Sequence, residues 1–198
     1  GTPMTFSDNS NGNGAVIADY QWDFTNDGSN DFSGTGTDFT YGADGTYDVN
    51  LTVTTLDGCT DNLVQSVTVF PSPMASFTGQ NVCEGFDVTF TENSTVSSGT
   101  ITNFEWDFGI GATSVVQNPT QTYVNEGVFN VMLTVTSDNG CTNSFTSPVE
   151  IYPTPVPQFI ANDVCDGSVA GFTDFSTVSN ASTTNNIVDW QWDFGTIP

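Results

Sequence analysis

Lysine, arginine and histidine are all missing from this chain, which sets 23 aspartates and glutamates against no basic side chain and carries a formal charge of -23. Charged residues normally make up about a quarter of a domain, so a chain of 198 residues would ordinarily hold roughly 20 Lys and Arg. Their absence is not sampling noise. No side chain here can neutralise a phosphate, which excludes nucleic acid as a partner, and an anionic membrane surface is disfavoured on the same ground. Without imidazole there is no Ser-His-Asp or Cys-His site, and without lysine no amine nucleophile. Carboxylates, hydroxyls and four cysteines are the chemical tools left. No run of about 18 apolar residues is available to cross a membrane, so direct membrane insertion is not expected, and no signal-peptide pattern opens the sequence.

What is present is core-forming material. At 36% hydrophobic and 13% aromatic residues, the chain exceeds what a disordered acidic tail carries and is expected to fold. Self-comparison shows a repeat of 82 to 86 residues. "QWDFT" at 21 to 25 recurs as "EWDFG" at 105 to 109 and "QWDFG" at 191 to 195, with Trp22, Trp106 and Trp192 spaced by 84 and 86 residues. "GTYDVNLTV" at 45 to 53 returns as "GVFNVMLTV" at 127 to 135, and "FPSPMASF" at 70 to 77 as "YPTPVPQF" at 152 to 159, both offset by 82.

Pro71, Pro73, Pro153 and Pro155 mark short stiff joints, because proline cannot donate to a sheet ladder and favours extended backbone. The register divides the chain into domains at 1–70, 71–152 and 153–198. Phe6 aligns with Phe90, deep inside the middle copy, so the first domain is expected to lack its opening strand; the third is an N-terminal part, ending just after its "WDFG". Within each copy the pattern has period 2. Tyr47, Val49, Leu51 and Val53 alternate with Asp48, Asn50 and Thr52, and Tyr20, Trp22 and Phe24 alternate likewise, as do Phe104, Trp106, Phe108 and Trp190, Trp192, Phe194; these read as strands with one face in a core. Turn clusters punctuate them, helical periodicity is absent, and the natural solution is an all-β sandwich.

These residues carry a family likeness. "WDFG", then a loop, a tyrosine (Tyr41, Tyr123), "G-[TV]-[YF]-x-V-x-L-T-V" and a closing strand "VTVFP" or "VEIYP" resemble the PKD domain, an immunoglobulin-like β-sandwich. The resemblance covers nearly the whole chain and implies tandem sandwiches in an extended array. Such domains occur in extracellular and cell-surface proteins, as spacers and as accessory modules beside proteases and chitinases. Copies with "VC-x-G" early and "GC" late, joined by proline linkers, are similar to those in large secreted surface proteins and adhesins of Bacteroidetes-type bacteria. The family's usual "WDFGDG" is "WDFTNDG", "WDFGIGA" and "WDFGTIP" here, so a role particular to that loop is not shared by all copies.

In copy one, Asp19, Asp23, Asp27 and Asp31 fall four residues apart around Gly28. Calcium takes six to eight oxygens, and loops of the type D-x-[DN]-x-D-G supply them from alternate positions. Asp23, Asn26, Asp27 and Asp31 fit part of that scheme, although Thr25 stands where such a loop has Asp or Asn. The competing reading is a turn, since Asp, Asn and Gly bond their own backbone and tolerate left-handed conformations. No other cofactor is indicated. Paired-carboxylate catalysis needs a cleft and an acid of raised pKa that nothing in the sequence announces, so the chain is read as not an enzyme.

Cys59, Cys83, Cys141 and Cys165 keep the 82-residue repeat. With no C-x-x-C pair and no histidine they suggest disulfides more than metal. In an immunoglobulin-like topology the early and late cysteines lie at opposite poles, about 30 Å apart at 3.4 Å per residue, whereas a disulfide needs Cα atoms roughly 4.4 to 6.8 Å apart. Two pairings stay open. One is head to tail between modules, Cys141 with a residue before Gly1 and Cys83 with one beyond Pro198; the other is Cys83 to Cys141 across a bent first strand. "N-x-[ST]" occurs at Asn50, Asn93 and Asn180.

Two functions fit. The first is a structural segment of a long extracellular fibre or adhesin stalk, its partners being neighbouring modules of the same chain and other copies in a fibre. The second is an accessory module of a secreted protein that binds carbohydrate or protein through exposed aromatics. Aromatics gathered in an exposed patch would favour binding, and burial between two sheets would favour the spacer.

Overall fold

The computed structural model describes residues 3–179 and 186–195, and by contact it divides into two compact units, Gly1–Ser72 with Val96–Thr100, and Pro73–Thr95 with Ile101–Pro198. Among the described residues every regular element is a β-strand. The first repeat contains β1 (Met4–Ser7), β2 (Ile17–Asp23), β3 (Phe32–Ser33), β4 (Gly36–Phe39), β5 (Gly45–Thr55) and β6 (Thr60–Val69). The second contains β7 (Phe77–Gly79), β8 (Val82–Cys83), β9 (Asp87–Glu92), β10 (Ile101–Asp107), β11 (Thr113–Ser114), β12 (Thr120–Thr122), β13 (Gly127–Ser137) and β14 (Thr142–Tyr152). The third contributes β15 (Phe159–Ala161) and β16 (Phe172–Asp174).

Alternation builds these strands. On β13 the side chains of Val131, Leu133 and Val135 are fully buried while Asn130 and Met132 face outward, as the pleat requires of a strand with one solvated face. The chain then reverses through "SDNGC": Gly140 takes φ 79°, its N–H donates to the Ser137 carbonyl, and the Ser137 N–H donates to the Cys141 carbonyl. Gly58 does the same between β5 and β6 at φ 83°. A left-handed residue at that point is what glycine supplies without steric cost. The first two repeats each carry a register shift at one position of the tryptophan strand, between Ile17 and Asp19 in β2 and between Ile101 and Asn103 in β10.

The middle repeat is a complete sandwich. One sheet runs β11-β10-β13-β14-β8 and the other β12-β9-β7. Between them Phe77, Val88, Phe90, Trp106, Phe108, Tyr123, Val131, Leu133, Val149 and Ile151 form one apolar core. The first repeat has the sheets β3-β2-β5-β6 and β1-β4, with a smaller core on Trp22, Phe24, Tyr41 and Val49. Among the described residues it has no counterpart of β7 or β8, and Leu51 and Val53 are only half-buried, where their equivalents Leu133 and Val135 are fully buried. Tyr20 is likewise half-buried, so the core role that alternation suggests for it is partial. The third repeat pairs β15 with β16, and Trp190, Trp192 and Phe194 are exposed. Their alternating pattern implies a core, but no strand equivalent to β13 or β14 covers them among the described residues.

Candidate functional site

The loop after β2 draws its acidic side chains onto its own backbone. The Asp23 carboxylate accepts N–H bonds from Thr25 and Asp27, each at 3.2 Å, and from Gly28 at 2.8 Å. Asp31 Oδ2 accepts the Phe24 N–H at 2.7 Å, and Asp27 Oδ1 accepts from Ser29 N at 2.8 Å. Asn26 provides no ligand-like contact; it takes φ 53° and turns the chain. Burial alone would raise the Asp23 pKa, but amide donors from Gly28, Asp27, Thr25 and Asn26 outweigh it and hold the carboxyl below its usual 3.8. Asp19 stands apart from this set, accepting bonds from the Tyr20 N–H and the Gln21 side chain.

Among the described residues no three His, Cys, Asp or Glu side chains converge to hold a metal. A calcium ion needs six or more oxygens at 2.3 to 2.6 Å, and the lone pairs of Asp23 are already given to amides. The donor set as it stands does not fit the ion.

The aspartate of "WDF" makes the same turn in every copy. Asp107 Oδ1 accepts the Gly109 N–H and Asp193 Oδ1 the Gly195 N–H, both at 2.9 Å. In these two copies the glycine is left-handed, at φ 75° and 71°. A Cβ on Gly109 would lie 2.7 Å from the Asn130 carbonyl oxygen, so the backbone approach also demands glycine. Copy one has Thr25 there and moves the left-handed residue to Asn26 and Gly28.

Behind the turn, a tyrosine ties the two sheets. Tyr123 Oη donates to the Phe108 carbonyl at 3.1 Å, and Tyr41 Oη to the Phe24 carbonyl at 3.1 Å. Burial, with the nearby Asp107 charge, pushes the Tyr123 hydroxyl up to about 12, and burial, Tyr47 and Asp31 raise that of Tyr41. The indole nitrogens also find carbonyls, Trp22 at Gly34 and Trp106 at Val116, both at 2.9 Å. The recurrence of these tyrosines after "WDF" is the signal for the tie, but its acceptor is not readable from spacing.

The cysteines lie where the two long strands end. Cys59 and Cys141 close the hairpin turns before β6 and β14. Cys83 sits beside Tyr152, because β8 runs parallel to the far end of β14. The 11 residues of β14 therefore separate Cys141 from Cys83, on the order of 35 Å at 3.4 Å per residue. A bond between them would need a Cα separation of about 4.4 to 6.8 Å, which this fold does not bring within reach. Cys165 lies in the loop after β15, its carbonyl accepting the Ser168 N–H at 3.0 Å. Asn50 bonds the Asn62 side chain across the hairpin and Asn93 the Thr91 carbonyl; Asn180 is outside the described residues.

The linker after the middle repeat is pinned by residues that no sequence signal marks. Glu84 donates its N–H to the Tyr152 carbonyl at 2.8 Å and accepts the Thr154 N–H on Oε1 at 3.1 Å. Ser179 Oγ donates to Glu126 Oε1.

A family model for the PKD domain matches residues 1–71 and again 70–153. The pre-pro-metalloprotease PrtV of Vibrio cholerae is 34% identical over 122 residues, 61% of this chain and 13% of that protein. The microbial collagenase of Vibrio alginolyticus is 44% identical over 68 residues, 34% of this chain and 8% of the collagenase. The chain thus spans a small part of each relative's length. Among solved structures, the PKD1 domain from the Vibrio cholerae metalloprotease PrtV is 35% identical and covers 40% of this chain and 96% of that one, with a TM-score of 0.38. Two successive matches to one model, on repeats that share the "WDF" turn and the buried tyrosine tie, make this chain a member of the PKD domain family, whose modules are immunoglobulin-like, accessory and non-catalytic.

Proposed function

We propose that the chain is a structural segment of a long extracellular protein, a fibre or adhesin stalk, which sets functional parts apart and keeps the joints between modules stiff. One observation carries this reading: most of the aromatic residues of the complete repeat are in its interior. Phe77, Phe90, Trp106, Phe108 and Tyr123 are each no more than 6% exposed, and Phe86 and Phe145 are the rings of that repeat that stand exposed. The exposed rings of the third repeat occupy the same positions as this core and are an open interior rather than a recognition patch. Stiffness is supported by the hydrogen bonds of Glu84 to Tyr152 and Thr154 at the joint. The pole-to-pole placement of Cys83 and Cys141 supports disulfide staples running head to tail between successive modules. The acidic loop braces its repeat through bonds within itself, without calcium. A chain lacking Lys and Arg offers no trypsin-type cleavage site, which suits exposure outside the cell.

The test is replacement. Exchanging residues 1–153 in the parent protein for two unrelated β-sandwiches of equal length should preserve its activity at the cell surface. Loss of activity on exchange, with the replacement folded and displayed, would instead assign a binding role to these modules.

A further inference from the structure

We infer, resting on the stiff-joint reading above, that Glu126 is the latch of the joint between the second and third repeats. With its carboxylate on Ser179 the two repeats turn as one body, and without it the third repeat twists about Pro155.

The linker can be accounted for donor by donor. Pro153, Pro155 and Pro157 have no N–H to give and fix their own φ angles, and each holds the residue before it extended. The three N–H groups that remain are all spent. Thr154 donates to Glu84 Oε1 at 3.1 Å, Val156 to the Thr177 carbonyl at 2.7 Å and Gln158 to Ser176 Oγ at 3.1 Å. The first partner belongs to the middle repeat and the other two to the third, so the chain passes from one module to the next at Pro155. The receiving half is a repeated device: where the middle repeat begins, Met74 donates to the Thr95 carbonyl at 2.7 Å and Ser76 to Ser94 Oγ at 3.0 Å. A single strap of this kind fixes where two bodies meet but leaves rotation about the strap open.

Glu126 removes that freedom from a second element. It stands in the turn between β12 and β13, and its Oε1 accepts the hydroxyl of Ser179 from the loop after β16. Two attachments on separate elements define an orientation, where one defines only an axis. A hydrogen bond to a charged acceptor shifts an open–closed equilibrium by about tenfold or more, enough for the latch to decide which state dominates. Glu126 Oε2 is enclosed and meets no donor among the described residues, so the side chain is seated in the contact. An enclosed charge without a partner is costly. Glu126→Gln keeps the acceptor for Ser179 while removing that charge, and should hold the joint closed.

The experiment is measurement of N–H residual dipolar couplings in the 198-residue chain, aligned in a neutral stretched gel and fitted separately for β13 with β14 and for β15 with β16. The expected result is one alignment tensor for both sets. Glu126→Ala and Ser179→Ala should each split it, with third-repeat alignment weaker by about twofold or more. The double variant should be no weaker than either single one, because both remove the same contact, and Glu126→Gln should keep the single tensor. Amide shifts of β15 and β16 report whether the third repeat stays folded, and Ser179→Ala, at an exposed position, carries the test if Glu126→Ala unfolds it. A single tensor that survives Ser179→Ala, or a folded Glu126→Ala, overturns the latch and leaves the stiff joint standing on its linker. Two tensors in the parent chain overturn the latch and the stiff joint together. Two tensors in Glu126→Gln also overturn the latch, since the acceptor for Ser179 is still in place.

Discussion

Removing one hydroxyl, in Tyr123→Phe, tests whether the tyrosine tie holds the complete sandwich. Tyr123 is 1% exposed, and its Oη donates to the Phe108 carbonyl at 3.1 Å. The substitution keeps the ring and its packing on Phe129 at 4.5 Å, but leaves a buried carbonyl unpaired, at a cost of about 2 kcal/mol. For a domain of this size about 1 kcal/mol moves Tm by roughly 4 to 8 °C, so a fall of about 8 to 16 °C is expected in one calorimetric transition. Alkaline pH supplies a second readout. In the folded repeat the hydroxyl titrates at about 12 rather than 10.0. Between those values the unfolded chain has lost its proton and the native one has not, so stability is intact below pH 10 and falls as pH rises toward 12, by up to about 2 to 3 kcal/mol. The chain has no lysine to titrate in this window. Tyr123→Phe should therefore both lower Tm at pH 7 and flatten its decline from pH 9.5 to 11. A Tm within 2 °C of the parent at pH 7, or an unchanged alkaline slope, would refute the reasoning.

Gly109→Ala should destabilise the middle repeat by about 2 kcal/mol or more, since it meets both a left-handed φ and the Asn130 carbonyl; urea denaturation reads it, and Thr25→Ala in the matching position of copy one should cost under about 0.5 kcal/mol. Asp23→Ala removes the acceptor of three amides and should cost about 2 to 4 kcal/mol in the first repeat. Because the Asp23 pKa is depressed in the fold, its contribution is present above pH 3.8 and lost as pH falls below that; the acid decline of the first transition should be shallower in Asp23→Ala. Millimolar calcium should leave that transition within 1 °C, and a rise of several degrees abolished by Asp31→Ala would restore the metal reading.

Much of the fold was legible because its signals are local. Alternation on Tyr47 to Val53 and on Val128 to Ser137, glycines at the reversals and the 82-residue register each depend on residues near in sequence, and together they specify paired strands, hairpins and repeats. The acidic loop was less legible. Four aspartates and an asparagine are equally suited by type to an ion or to amide donors, and only the placement of the Thr25, Asp27 and Gly28 N–H groups around Asp23 shows where those lone pairs go. The aromatic pattern misleads in the third repeat for a related reason. Alternation states which side chains share a face, but burial also needs neighbouring strands: Phe159 and Phe172 of β15 and β16 lie against Trp192 at 5.4 and 5.9 Å, and among the described residues no counterpart of β13 or β14 stands beside it.

By itself, then, the sequence determined the tandem all-β organisation, the family, and the exclusion from this chain of every chemistry that needs a basic side chain, since composition and periodicity are properties of the chain alone. The tertiary structure decided what depends on residues far apart in sequence: that Cys83 and Cys141 lie at opposite ends of β14, that Tyr123 finds the Phe108 carbonyl, and that Glu84 holds the linker. Those contacts arise from how strands are ordered across a sheet, and spacing along a chain does not encode that order.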